Sequence, residues 1–146
     1  MLTEKIKVWL KNKDWYTEED FNDKKKFIKV LEDLNIRKDL PIFDFFTHST
    51  DPSYKGRLFE LNNICWASVY SDYESNINMT WNILKLPKEY IPLDDFEAEG
   101  GFFYNRETGE ILELEIGEKL INFLEGKLKP QWKDFNVFLE WYFKIE

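Results

Sequence analysis

The spacing of apolar residues changes twice along this chain of 146 residues. Leu2, Ile6, Trp9 and Leu10 recur near helical intervals, which predicts a helix over about residues 3–14. Thr17, followed by Glu18, Glu19 and Asp20, has the form of an N-cap with acids in the first turn. The helix it opens is expected to reach about Leu34, with Phe27, Ile28, Leu31 and Leu34 on one side. Asn35 suits the left-handed residue that closes it. Pro41 then opens a short helix bearing Phe43, Phe45 and Phe46, and residues 48–57 (HSTDPSYKGR) read as a loop.

From Leu58 the period shortens. Strands are predicted within residues 62–70 and at 80–84, 90–93, 101–105 and 110–116. Asn105-Arg106-Glu107-Thr108-Gly109 joins the last two as a tight hairpin turn, with Gly109 supplying positive φ. In the last strand Leu112, Leu114 and Ile116 are expected on a core face, and Ile111, Glu113 and Glu115 on a wet, anionic one. After Gly117 the helical period returns. Leu120, Ile121, Leu124 and Leu128 suit one helix; Phe135, Phe138, Leu139 and Tyr142, at i, i+3, i+4 and i+7, suit another. This order predicts an α+β domain. Its sheet would be mostly antiparallel and twisted, of about four to six strands, flanked by N-terminal and C-terminal helices.

Composition adds three constraints. The length and the absence of repeats or linker-like tracts favour one domain over residues 1–146. Six Trp, seven Tyr and thirteen Phe are far above ordinary usage, so many rings must be buried and some are left for a binding face. Cys65 is the one cysteine, so no disulfide staples the chain. The charged N-terminus lacks a signal-peptide core and no window approaches a membrane span, which makes a cytoplasmic protein the expectation.

Charge is concentrated. Residues 85–118 hold ten acids against three bases, a net of −7 in a chain whose total is −8. Such a surface repels nucleic acid and anionic membrane, and steers a basic protein toward it. Asp94, Asp95, Glu97 and Glu99 form the densest run. Glu107, Glu110, Glu113 and Glu115 extend it along the hairpin, and Asp72 with Tyr73 makes a smaller acidic-aromatic turn. These are the candidate partner-binding residues. The competing reading is a set of ordinary solvated turns and a wet strand face. Metal and catalytic readings fit poorly. The acidic run lacks the fixed ligand positions of a calcium loop. His48 is the sole histidine, and with Cys65 it falls short of a zinc set. Gly100-Gly101 lacks the lysine and the strand-to-helix context of a phosphate cradle. Lys24-Lys25-Lys26 is flanked by acids and reads as a helix's solvent face, not a nucleic-acid patch. No catalytic residue, metal or cofactor is therefore expected.

Several short motifs together resemble the SUKH superfamily. They are Leu34-Asn35-Ile36 followed by Leu40-Pro41, and Glu60-Leu61 after a glycine-containing loop. Leu86-Pro87 before Tyr90-Ile91-Pro92-Leu93 follows. Next comes Gly100-Gly101-Phe102-Phe103-Tyr104 before Thr108-Gly109-Glu110-Ile111, and last Phe135 with Phe138-Leu139. The likeness covers about residues 18–145; the first helix and the 48–57 loop have no counterpart in it. It implies a sheet packed against helices and no catalytic machinery. Family members are largely bacterial immunity proteins that bind and neutralise a toxin, often a nuclease. Others are regulatory adaptors, including fungal cell-wall regulators. The resemblance thus implies a monomeric or weakly dimeric immunity protein whose partner is a cognate toxin with a basic surface. The alternative is an adaptor for an endogenous partner.

Overall fold

Thr3 ends the extended N-terminus by accepting from the Ile6 N–H, and α1 (Glu4–Asn12) follows with Ile6 and Leu10 turned inward. These observations come from a computed structural model that describes residues 1–146. The second helix does not start at Thr17. The Thr17 hydroxyl accepts from Glu19 N–H at 3.1 Å, and its backbone N–H bonds the carbonyl of His48 at 2.8 Å. Residues 17–22 are therefore tied to the far end of α3 and stay irregular, and α2 is Lys24–Asp33. Asn35 does take the left-handed conformation after it, at φ 60°. Pro41 opens α3 (Pro41–Thr47) as expected.

Two predicted strands are helical. Residues 62–70 divide into a short β2 (Leu61–Asn62), paired antiparallel with β1 (Ser53–Tyr54), and α4 (Ile64–Tyr70). Asn63 decides the change, because its side chain accepts from both Cys65 and Trp66 N–H, at 3.1 Å each. Residues 80–83 fall in a π-helical turn (Met79–Ile83) that prolongs α5 (Tyr73–Asn78), and Leu84 caps it. Short apolar runs have the same period signature in a buried helix and a buried strand; α4 packs on α2, and the 79–83 turn on β3.

The main sheet has three strands in the order β3-β4-β5: Tyr90–Pro92, Gly100–Asn105 and Ile111–Glu115, all antiparallel. One sheet of four to six strands is thus replaced by a three-stranded sheet and a separate two-stranded ladder. Neither face of the main sheet is wet. Ile91, Phe102, Tyr104 and Ile111 join the large core with Phe27, Phe45, Phe135 and Phe138. Tyr90, Phe103, Leu112 and Leu114 form a second core under Leu84 and Leu86, with Leu120 and Phe123 packed on it. Ile111 is buried and Ile116 is exposed, the reverse of the expected faces, because the strand ends at Glu115 and both its sides are covered. In α6 (Glu118–Leu124) Ile121 and Leu124 face outward. The last helix, α7 (Phe135–Tyr142), buries Phe135, Phe138, Leu139 and Tyr142 on one side.

Both outer edges of the sheet are occupied. Trp81 Nε1 donates to the Tyr90 carbonyl and the Tyr73 hydroxyl to that of Pro92, while Trp132 bridges Ile111 on the opposite side. Little edge remains for strand pairing with another chain. Tyr142 fixes the 54–61 loop: its hydroxyl accepts from Leu61 N–H at 3.0 Å and lies 2.6 Å from the Phe59 carbonyl. No helix is long and apolar enough to cross a membrane.

Candidate functional site

The turn between β3 and β4 carries the sequence's densest acids, and it closes one wall of a cleft of about 360 Å³. The loop before β2, α4 and the start of α5 form the other walls. Five carboxylates line it, those of Glu60, Asp72, Asp94, Asp95 and Glu97, and no lysine or arginine does. None of the five has an ion-pair partner anywhere in the chain. Phe59, Trp66 and Phe96 supply ring surface between them.

Neutral amides hold the acids in place. Asn62 on β2 and Asn76 on α5 both donate to Asp95 Oδ1, at 2.8 and 3.0 Å. Asp72 caps α5, accepting from Ser75 N–H at 3.2 Å and Ser75 Oγ at 2.6 Å. Ser53 donates to Glu60. Glu97 is exposed on the turn. Asp94 sits deepest, 3% exposed, with Oδ1 accepting from Phe96 N–H at 2.9 Å and Oδ2 from Phe102 N–H at 2.7 Å. Burial outweighs those two bonds and pushes its carboxyl up to about 7. The turn it anchors is bent at two non-glycine residues in the left-handed region, Phe96 at φ 56° and Glu99 at φ 57°.

The fold gathers four of the ten sequence candidates in this cleft: Asp72, Asp94, Asp95 and Glu97. Asp94 is not a surface group, and neither is Tyr73, whose hydroxyl bonds Pro92 inside the core. Glu99 and Glu115 lie at the same end of the sheet, outside the cleft. Glu113 and Glu115 are both ion-paired with Lys119, at 2.9 and 3.7 Å. Glu107 and Glu110 belong to the hairpin at the opposite end of β4. The anionic surface is therefore not one stripe along the hairpin. Glu60, Asn62, Trp66 and Asn76 were not legible as site residues, since they meet Asp95 and Glu97 only through tertiary packing.

Other chemistry-bearing residues have structural roles. His48 stacks on Tyr16 with 4.6 Å between ring centroids and places Nδ1 3.0 Å from Asp44 Oδ1. Asp44 also accepts from Leu2 N–H at 3.0 Å and from the Tyr16 hydroxyl at 2.9 Å. Burial alone would raise that carboxyl; the bonds from His48, Leu2 and Tyr16 outweigh it and hold it at about 2. Cys65 is fully buried, and burial pushes its thiol up, away from the reactive thiolate. No group of three or more His, Cys, Asp or Glu side chains is arranged to hold a metal ion.

No family model, curated protein or solved structure matches the chain.

Proposed function

We propose that this chain is a non-enzymatic binding protein of the immunity type, acting in the cytoplasm on a cognate toxin by docking over its active site or substrate path. The SUKH-like motifs suggest the role. The observation that carries the mode of binding is the cleft: five carboxylates, no internal counter-charge, and aromatic walls. A lysine or arginine presented by the toxin would supply the missing positive charge, and Trp66 and Phe96 offer ring faces to it. The acids would speed encounter, and desolvated aromatic contacts would slow release. The test is co-purification with the product of the adjacent upstream gene, followed by association kinetics at several salt concentrations. Recovery of a housekeeping protein in place of a toxin would turn the role to that of an adaptor. Salt-independent association would remove the cleft from the interface.

One observation favours a second reading. A carboxyl raised to about 7 beside other carboxylates has the composition of an acid–base pair. The geometry argues against it, because both Asp94 oxygens are already engaged by backbone N–H groups. Turnover of any substrate by the pure protein, abolished in Asp94→Asn, would establish the enzyme and overturn the binding role.

A further inference from the structure

We infer that the outer face of α6 is a self-association surface: a second copy of this chain seats its own α6 there, antiparallel, about a two-fold axis. The face shares no residue with the acidic cleft, so the two stand or fall separately.

α6 covers the second core and is itself uncovered. Leu120 and Phe123 pack on that core, yet no residue of the helix is fully buried. Its apolar side is wider than the strip the sheet covers. Ile121 is 55% exposed and Leu124 47%, and at i, i+3 they share one side of the helix. Gly117 is the N-cap, which puts Ile116 just before the cap and Ile121 at the fourth helical position. Side chains at those two positions lie against each other at a helix start. Ile116 is 54% exposed. The three therefore form one patch and are not scattered singles. Half-exposed, they leave on the order of 300 Å² of apolar surface, the scale on which such patches mark interaction sites.

Charge says what fits. At the N-terminal end Lys119 alone stands against three acids: it bridges Glu113 and Glu115, and Glu118 has no ion-pair partner in the chain. At the C-terminal end Lys127 and Leu128 both donate to the Asn122 carbonyl, which folds residues 127–129 against the helix. There Glu125 is neutralised by Lys127 at 3.0 Å and Lys129 has no ion-pair partner. The rim thus runs from acid to base. A wholly basic partner would meet Lys129, and a wholly acidic one Glu115 and Glu118. A copy turned end for end meets opposite charge at both ends, the self-complementarity a two-fold interface requires.

Two further features bear on this. The sheet edges are taken by Trp81, Tyr73 and Trp132, so a copy does not add as a strand. The net charge of −8 opposes association at long range. At 0.15 M salt the Debye length of about 8 Å screens that repulsion beyond the contact itself.

The test is sedimentation velocity on the full chain from micromolar to millimolar concentration at 0.15 M salt. An interface of this size lies at the weak end, so half-association is expected at roughly 10–100 µM. Ile121→Lys and Leu124→Lys should each raise that midpoint at least tenfold. Both side chains are half exposed, so circular dichroism should stay that of the wild type. Glu118→Lys and Lys129→Glu, both on exposed residues, should each weaken association about three- to tenfold, and the double variant should restore it. A monomer at every concentration overturns the inference. So does a dimer that neither apolar variant disturbs, since its interface lies elsewhere. A double variant weaker than both singles overturns the antiparallel seating.

Discussion

A β-carbon placed on Gly101 would stand 2.2 Å from Asp94 Oδ1. The carboxyl lies directly on the β4 backbone, and only glycine leaves room for it. Gly101→Ala should therefore force either the strand or the acidic turn to move. We expect a loss of about 1–3 kcal/mol in urea unfolding, the usual cost of overfilling a packed site. Accelerated hydrogen exchange at the Phe102 amide should accompany it, since that amide is bonded to the displaced carboxylate.

Asp94 makes the protein less stable as pH rises. Its folded-state carboxyl sits at about 7 against an ordinary 3.8, so its contribution is fully present below about pH 4 and is lost as pH climbs through 7. The whole effect is roughly 4 kcal/mol. Unfolding free energy measured in urea from pH 4 to pH 8 should show this decline in the wild type and a much shallower one in Asp94→Asn. Equal slopes in the two proteins would mean that Asp94 is ionised throughout.

Asp44 has the opposite sign. Its carboxyl is held at about 2, so the stability it supplies is present above about pH 4 and disappears as pH falls toward 2. Asp44→Asn should flatten stability over that acid window. At neutral pH it should cost roughly 3–5 kcal/mol, because Lys7, Tyr16 and the Leu2 amide lose a buried charged partner. Acid unfolding followed by circular dichroism would register both.

The cleft and the rest of the anionic surface should separate by mutation. Glu97→Lys places a cation within the proposed docking site and should slow association with the partner at least tenfold at low salt. Glu107→Lys, at the far end of the hairpin, should change it little. Surface-plasmon kinetics on the two variants distinguishes them, and equal effects would place the interface on the hairpin instead.

Tyr142 is a lever on the same cleft from inside the core. Removing its hydroxyl in Tyr142→Phe leaves the Leu61 amide and the Phe59 carbonyl without that partner. The expected cost is about 1–3 kcal/mol, seen as a lower urea midpoint. Phe59 and Glu60 line the cleft, so partner affinity should fall as well.

Several local signals were legible where short-range chemistry decides the conformation. The Asn105–Gly109 turn, the Pro41 helix start, the Asn35 closure and the 135–142 stripe all appear where the residue pattern places them. Residues 17–22 misled because a distant partner settled them, and residues 62–70 because a local cap overrode the apolar run. Thr17 is tied to His48, and Asn63 turned an apolar run into a capped helix. The site was half legible in the same way. The acids of the 94–99 turn stand out in the sequence, yet nothing in it separates Glu97, open to the cleft, from Glu113, already neutralised by Lys119.

The sequence by itself determined the α+β class, the central hairpin, the closing helix and the place where negative charge accumulates, because each depends on neighbours a few residues apart. Tertiary structure alone decided that Glu60, Asp72 and Asp95 share one cleft, that Asp94 is buried and that both faces of the sheet are dry. Burial and counter-charge are properties of segments distant in the chain brought together, and those are what turn a run of acids into a site with a defined protonation state.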